Sequence, residues 1–172
     1  GVIEDITQRK YAEDALRQSE EELRSLANSI PQLAWMAEPD GHIFWYNNRW
    51  YEYTGSTLEQ MVGWGWSKAH HPDHLERVVA VWKQALYEGR LWEDTFPLLG
   101  VDGAYRWFLS RAFPIRDAEG KITRWFGTNT DVEEVKRTQE VLRDESRILE
   151  LLNQTGSAIA SELDLEKLVQ TV

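Results

Sequence analysis

The chain has no cysteine among its 172 residues, which excludes disulfide bonds and thiolate metal ligands. Basic residues are also in deficit, because 19 Lys and Arg against 29 Asp and Glu leave a formal net charge of −10. That charge disfavours nucleic acid and anionic membrane surfaces as partners. No apolar run approaches the roughly 18 residues of a membrane span, and residues 1–10 lack the apolar core of a signal peptide. We therefore expect a cytoplasmic chain with no membrane contact.

Motifs for catalysis are missing as well. No serine lies in a nucleophile motif, and neither a kinase ATP-binding motif nor a phosphoacceptor motif is present. His71 and His74 have an i, i+3 spacing that suits helical metal ligands, with His70 beside them, but Asp73 is their one neighbouring carboxylate. We predict no catalytic residue and no metal site, and we interpret the three histidines as a solvated helix start.

What is present is a series of short strands around a helical middle. The aromatic and β-branched runs between turn residues predict five strands: Leu33–Ala37, His42–Asn47, Trp92–Leu99, Tyr105–Ile115 and Ile122–Thr130. Pro97 cannot donate to a ladder, so its strand is predicted to lie at an edge or to contain a bulge.

Three helices are predicted between the second and third strands. The first is capped by Asn47 or Asn48, the second covers Thr57–Val62 and the third runs from Pro72 to about Glu88. The Gly- and Trp-rich residues 63–66 are predicted to form a loop. Two strands before the helices and three after them favour one antiparallel sheet with the helices on one face, which is the α+β class.

Both ends of the chain have heptad spacing. Near the N-terminus, apolar or small residues alternate at spacings of four and three: Ala12, Leu16, Ser19, Leu23, Leu26 and Ile30. This stripe indicates either a parallel dimeric coiled coil or an amphipathic helix that lies on its own domain. Pro31 is predicted to end the helix.

An internal repeat links the two ends of the chain. At an offset of 126 residues Gly1, Asp5 and Lys10 match residues of the same type, and Leu16, Leu23 and Leu26 match three more leucines: Leu142, Leu149 and Leu152. The start of the chain therefore resembles the end of a unit that ends again near Val132. We predict that residues 1–7 are a strand end from a preceding unit, followed by a linker helix over 8–30, a central domain over 31–132 and a second linker helix over 133–150.

Nine tryptophans require their own interpretation, since each buries on the order of 200 Å². Six aromatic residues are candidates to line a cavity between sheet and helices: Trp45, Trp50, Tyr53, Phe96, Trp107 and Trp125. They either fill the core completely or surround a small or aromatic ligand. The second and fourth strands are apolar on both faces, so we expect the outer sheet face to be covered by the N-terminal helix or by a partner chain.

These residues together resemble a PAS domain of the Trp-rich subgroup common in bacterial sensor histidine kinases. The resemblance covers about residues 26–132, and its motifs are Asp40-Gly41 with Trp45-Tyr46-Asn47, Trp50 to Gly55, Trp66 to Asp73, Val81-Trp82, Asp102 to Trp107, and Gly127 to Val132. It implies a five-stranded antiparallel sheet in the order 2-1-5-4-3. Residues 1–7 resemble the end of a preceding PAS unit, and residues 151–172 resemble the opening helix of a GAF domain.

The resemblance implies a regulatory role without catalysis. A signal is expected to pass through Thr130, Asp131 and Val132 into linker helices that form a homodimer through Leu16, Leu23, Leu26, Leu142 and Leu149, and then to a histidine kinase of the same polypeptide. The alternatives are a sensor that binds a small ligand, haem or flavin, and the regulatory module of a cyclic-dinucleotide enzyme. Without cysteine a cysteine–flavin adduct is excluded, and the cofactor prediction is none or an unknown small ligand.

Overall fold

The computed structural model describes the backbone of residues 2–169 and the side chains of residues 8–157, except that of residue 23. It divides into two compact units, Gly1–Val132 and Glu133–Val172. The first unit contains the sheet, and the second is a helix.

The first unit contains one five-stranded antiparallel sheet, with the strand order β2-β1-β5-β4-β3. Its strands are β1 (Leu33–Ala37), β2 (Ile43–Tyr46), β3 (Trp92–Leu99), β4 (Tyr105–Arg116) and β5 (Ile122–Asp131). The predicted α+β class and strand order are confirmed. β3 is an edge strand, as its proline requires.

Short helices between β2 and β3 cover the inner face of the sheet. They are α2 (Asn48–Thr54), α3 (Leu58–Met61), a 3₁₀ helix (Gly65–Ala69) and α4 (Pro72–Glu88). α4 begins with Pro72 in its first turn and ends at Gly89, whose φ of 63° is the left-handed conformation that favours glycine. The prediction of a loop over residues 63–66 is wrong in its second half, because the backbone from Gly65 makes the i→i+3 bonds of a 3₁₀ turn.

The N-terminal helix α1 spans Val2–Ser29. The predicted strand end over residues 1–7 is therefore wrong from Val2 onward, and Gly1 lies outside the described residues. The matching stretch of the repeat is β5, which pairs with a strand on each side. Within the described sheet no strand pairs with residues 2–7, so their backbone groups form helical hydrogen bonds instead.

The second unit is α5, a helix that spans Glu133–Val169. No change of secondary structure marks the boundary predicted after residue 150, so the GAF-like segment over residues 151–172 stays a prediction. Its side chains from residue 158 and its last three residues lie outside the described residues.

The core lies on the inner face of the sheet and is dominated by tryptophan. Trp82 of α4 is the centre, with ring centroids 5.6 Å from Trp35, 5.1 Å from Trp92 and 5.2 Å from Trp125. Gly127 makes this packing feasible, because a Cβ added there would lie 2.2 Å from the Trp35 ring. The indole therefore lies directly on the backbone of β5.

The outer face of the sheet is partly covered by α1. The end of α1 and the outer side chains of β1, β2 and β5 line one groove: Glu20, Arg24, Ala27, Met36, Phe44, Trp45 and Arg124. Farther along the sheet, Phe113 and Ile115 of β4 are 52% and 42% exposed. The N-terminal helix thus accounts for one part of the expected cover.

The Asn47 side chain joins three elements of the first unit. It is fully buried, and its Oδ1 accepts from the backbone N–H groups of Ala34 at 2.9 Å and Trp50 at 3.3 Å. Its Nδ2 donates to the carbonyls of Ala27 at 2.9 Å and Gln32 at 3.0 Å. One amide therefore caps α2 and binds both β1 and the end of α1.

We predict that Asn47→Ala lowers the free energy of unfolding by about 3 kcal/mol, because it removes a helix cap and leaves buried backbone groups unpaired. Urea unfolding followed by tryptophan fluorescence measures this change. Asn48→Ala is the matched control, because the neighbouring side chain is exposed, and we expect its effect to stay within about 0.5 kcal/mol. A loss for Asn47→Ala as small as the control's would contradict this role.

Candidate functional site

A row of polar side chains crosses the inner face of the sheet. Asp94 of β3 pairs in register with Ser110 of β4, and Ser110 pairs with Asn129 of β5. Ser110 Oγ donates to Asn129 Oδ1 at 2.5 Å, and the Trp35 indole N–H contacts the same oxygen at 3.4 Å. Both Ser110 and Asn129 are buried. Polar groups therefore lie beneath an otherwise aromatic core.

A small cavity of about 20 Å³ lies between this row and the helices. Ten residues line it: Trp35, Ile43, Trp50, Trp66, His70, Trp82, Trp92, Phe96, Ser110 and Asn129. Its volume exceeds the minimum of about 10–15 Å³ that one water molecule requires. Aromatic side chains of the core pack around this polar-edged space.

His70 lies in the wall of the cavity. It is 6% exposed, and its ring packs 4.4 Å from the Phe96 ring and 4.8 Å from the Trp66 ring. Burial lowers the pKa of His70 from its ordinary value of 6.5 to about 4, against the opposing effects of the Trp66 carbonyl and the Asp94 charge. The imidazole is therefore neutral at pH 7, and the interpretation of His70 as solvated is wrong.

The hydrogen bond of His70 assigns its tautomer. Nδ1 lies 3.0 Å from the Trp66 carbonyl oxygen, which accepts only, so Nδ1 carries the proton. Nε2 is then a lone-pair acceptor, and it is buried without a protein partner. Three indole nitrogens of the cavity wall are also buried without an acceptor: those of Trp50, Trp66 and Trp92. The residues that line the cavity thus include one unpaired acceptor and three unpaired donors.

Haem and flavin do not fit this cavity. Sites for ligands of that size have volumes of about 300–1,000 Å³, against about 20 Å³ here. The space that such a group would need is occupied by the rings of Trp35, Trp82 and Trp92. The packing of the side chains therefore opposes both groups.

Of the six aromatic residues predicted to line a pocket, four lie in or beside the cavity and two do not. Trp50 and Phe96 line the cavity, and Tyr53 and Trp125 pack in the same core beside it. Trp45 and Trp107 are wrong as pocket residues, because they point to the outer face. Trp45 pairs with Met36 in the outer row, and Trp107 alternates with the inward-facing Phe108.

Several residues of the cavity are absent from the sequence-based set. Ser110 and Asn129 carry a detectable signal, because they are polar at positions where the strand alternation places inward-facing residues. His70 carries none, since it precedes a helix and only tertiary contacts bury it. The pairing of His70 with Leu98 in an isolated bridge fixes its place beside β3.

The predicted relay residues lie where β5 ends. The backbone N–H of Val132 donates to the Trp107 carbonyl at 2.8 Å, and Asp131 pairs in register with Phe108. Phe108 in turn packs 4.9 Å from the Tyr53 ring. The end of β5 is therefore joined to the aromatic core through β4.

Neither a metal cluster nor a membrane span is found where the structure describes the chain. His71 and His74 lie 5.7 Å apart between ring centroids, but no group of three metal-ligating side chains exists among the described residues. No described helix combines the length and apolarity needed to cross a bilayer.

Comparison with known proteins identifies a family. The family model PAS_3, described as the PAS fold, matches residues 36–129. The chain is 38% identical over 140 residues to uncharacterized protein y4lL of Sinorhizobium fredii, covering 81% of this chain and 17% of that protein. It is 32% identical over 127 residues to the peroxide stress-activated histidine kinase mak1 of Schizosaccharomyces pombe, covering 73% and 8%.

A third relative and two solved structures extend this result. The two-component sensor PprA of Pseudomonas aeruginosa is 26% identical over 163 residues, covering 92% of this chain and 18% of that protein. The chain thus spans less than a fifth of the length of these relatives. A PAS domain from Colwellia psychrerythraea has a TM-score of 0.55 at 19% identity and covers 66% of this chain and 97% of its own. A light-oxygen-voltage domain structure with a flavin analogue has a TM-score of 0.57 at 19% identity and covers 73% and 96%.

We predict that stability depends on pH through His70. The unfolded chain binds the proton near the ordinary pKa of 6.5, whereas the folded chain binds it only near a pKa of about 4. The unfolded state therefore holds more protons between these values. Above pH 6.5 the free energy of unfolding has its full value. It falls by up to about 3 kcal/mol as the pH drops to 4.

Urea unfolding over a series of pH values measures this dependence. His70→Gln removes the titrating ring and should flatten the profile between pH 6.5 and 4. His42→Gln is the matched control, because it makes the same substitution at an exposed histidine that does not line the cavity. A slope that survives His70→Gln would show that another group causes it.

Proposed function

The chain belongs to the PAS fold family, and on that premise we propose that it is a sensory module that relays a signal to a histidine kinase in the same polypeptide. Two of the relatives are a histidine kinase and a two-component sensor by name, which supports this class of output. The module itself takes no part in catalysis. Its role is to change the state of the helix that follows the sheet.

The connection between β5 and α5 carries this proposal. β5 ends at Asp131 and α5 begins at Glu133, so Val132 alone separates strand from helix. Val132 is held by the hydrogen bond to the Trp107 carbonyl. With so short a connection, a displacement of β5 reaches the start of the helix without a flexible linker to absorb it.

The core is in direct contact with β5, the same strand. Asn129 of the cavity lies in β5, three residues before Val132. Ser110 Oγ and the Trp35 indole are bound to its side chain. A change in the cavity therefore acts on the strand that leads out of the domain.

In this proposal the linker helices of two copies of the chain associate and form a homodimer. Leu16 and Leu26 of α1 are 62% and 65% exposed, and Leu142 and Leu149 of α5 are 57% and 66% exposed. Exposed leucines at heptad spacing favour a coiled coil between two copies over a helix that packs on its own domain. The side chain of Leu23 lies outside the described residues.

The repeat supports a place within a series of domains. Residues that end the PAS unit at Gly127 to Val132 recur in sequence at the start of the chain, where α1 begins. We propose that a PAS unit precedes this one and that the GAF-like segment follows it. α1 and α5 are then equivalent connecting helices between successive units.

We predict that Val132→Pro, introduced into the full-length protein, changes kinase output at least about fivefold, which corresponds to a coupling of about 1 kcal/mol. Proline removes the N–H that binds the Trp107 carbonyl, but its φ suits the start of a helix. Val132→Ala is the matched control, because it shortens the side chain and keeps the N–H. Autophosphorylation rates of purified wild type and both variants measure the effect, and equal rates in all three would contradict the relay.

We predict that the 172-residue chain is dimeric and that Leu149→Lys shifts it to monomer, because a lysine at the seam places charge in the helix interface. Gln154→Lys adds the same charge off the seam and should leave the dimer intact. Light scattering at several concentrations measures the mass, and tryptophan fluorescence checks that the sheet unit stays folded. A monomeric wild type at high micromolar concentration would contradict the proposed dimer.

A further inference from the structure

We propose that the groove between the end of α1 and the outer face of the sheet binds a small organic acid. Its carboxylate lies between Arg24 and Arg124, and its apolar chain lies on Phe44 and Trp45. The groove is separate from the aromatic core, because Trp45 pairs with Met36 in the outer row of side chains. This site goes beyond the proposed relay and does not depend on it.

Two arginines without partners face the same groove. Arg24 comes from α1 and Arg124 from β5. Among the described side chains neither guanidinium has a hydrogen bond or an ion pair, whereas every other arginine of the first unit binds a carboxylate or a carbonyl. A guanidinium presents its N–H donors as a planar fork that matches a carboxylate. The groove therefore offers two unused forks to one anion.

The Arg124 guanidinium is positioned by an aromatic ring. Its Cζ lies 5.4 Å from the centroid of the Phe44 ring, which is the distance of a cation–π contact. This contact orders the guanidinium without forming a hydrogen bond, so its N–H groups stay available to a ligand. Less side-chain entropy is then lost when an anion binds.

An apolar surface lies beside the two charges. Met36, Phe44 and Trp45 line the groove and are half-buried, so part of each side chain contacts solvent. The groove has a volume of about 190 Å³, below the range of about 300–1,000 Å³ for drug-sized ligands. It therefore suits a chain of a few carbon atoms and opposes a nucleotide.

The charge of the groove selects a single negative charge. Glu20 also lines it, so two arginines and one glutamate leave one net positive charge in a chain whose formal charge is −10. A phosphate monoester carries about −1.5 to −2 at pH 7, and its second charge would be repelled by Glu20. A monocarboxylate balances the groove, and its chain uses the apolar surface.

Ligand and coiled coil use different faces of α1. Glu20, Arg24 and Ala27 follow the i, i+4, i+7 spacing of one helix face and line the groove. Leu16 and Leu26 belong to the predicted heptad seam instead. A bound carboxylate therefore joins α1 to β5, and it leaves the seam free for a second copy.

The test uses the 172-residue chain labelled with ¹⁵N at its tryptophan indoles and arginine side chains, and hexanoate is the probe. We expect saturable shifts of the Trp45 indole and of the Arg24 and Arg124 Nε–H signals, with the core indole of Trp50 unchanged. Acetate keeps the charge without the chain, and hexan-1-ol keeps the chain without the charge. We expect each to bind at least about fivefold more weakly than hexanoate.

Matched variants assign the binding to the two arginines. Arg24→Gln and Arg124→Gln should each weaken hexanoate about fivefold. Arg111→Gln is the control, because it makes the same substitution on the sheet at an exposed arginine that does not line the groove. All three positions are exposed, and tryptophan fluorescence checks that each variant is folded.

Saturable hexanoate shifts that weaken in both groove variants and persist in Arg111→Gln would support the site. Equal binding of hexan-1-ol, equal affinity in all three variants, shifts confined to Trp50, or no saturation would overturn it. Binding of a blocked leucine–glutamate–leucine peptide in place of hexanoate would overturn it in favour of a protein partner. A lower mass of Arg24→Gln by light scattering, with no hexanoate shifts in the wild type, would overturn it in favour of a second copy. Kinase output enters none of these measurements, so failure of the site is distinguishable from failure of the relay.

Discussion

The packing of tryptophan on the inner face of the sheet is the interaction on which the rest of the first unit depends. Trp35 makes edge contacts with Trp82 and Trp92, the rings of Trp82 and Trp92 are tilted against each other, and Trp35 lies directly on the Gly127 backbone. Rings of this size leave little free volume, so the position of each depends on its neighbours. The same density leaves space for one small cavity and opposes a haem or flavin between sheet and helices.

The packed rings contact β5, the central strand of the sheet. β5 pairs with β1 on one side and β4 on the other, so its backbone is fixed by ladders along both edges. It carries Trp125 and Asn129 into the core and then leads through Val132 into α5. A strand with so many constraints has few independent movements, and a shift in the core is transmitted along it. The edge strands β2 and β3 are less constrained, because each has a ladder on one side and an isolated bridge on the other.

Much of the fold is predictable from sequence because local chemistry marks its boundaries. Glycine and proline turns give the ends of the strands to within about two residues, and Pro97 gives the sheet edge. The face of each aromatic residue is harder to assign, because β2 and β4 are apolar on both sides. A register shift between Met36 and Ala37 decides the orientation of Trp45, and alternation against Phe108 decides that of Trp107. His70 depends on tertiary contacts alone.

The choice of tryptophan over phenylalanine in the cavity wall has a physical consequence. An indole and a phenyl ring both fill a core, but a buried N–H without an acceptor costs about 1–3 kcal/mol. Trp50, Trp66 and Trp92 each carry such a group, and His70 adds an unpaired acceptor beside them. Phenylalanine and leucine at these positions would remove the penalty with a modest loss of buried area. The combination is therefore unfavourable for a closed core, because none of the four groups has a protein hydrogen-bond partner.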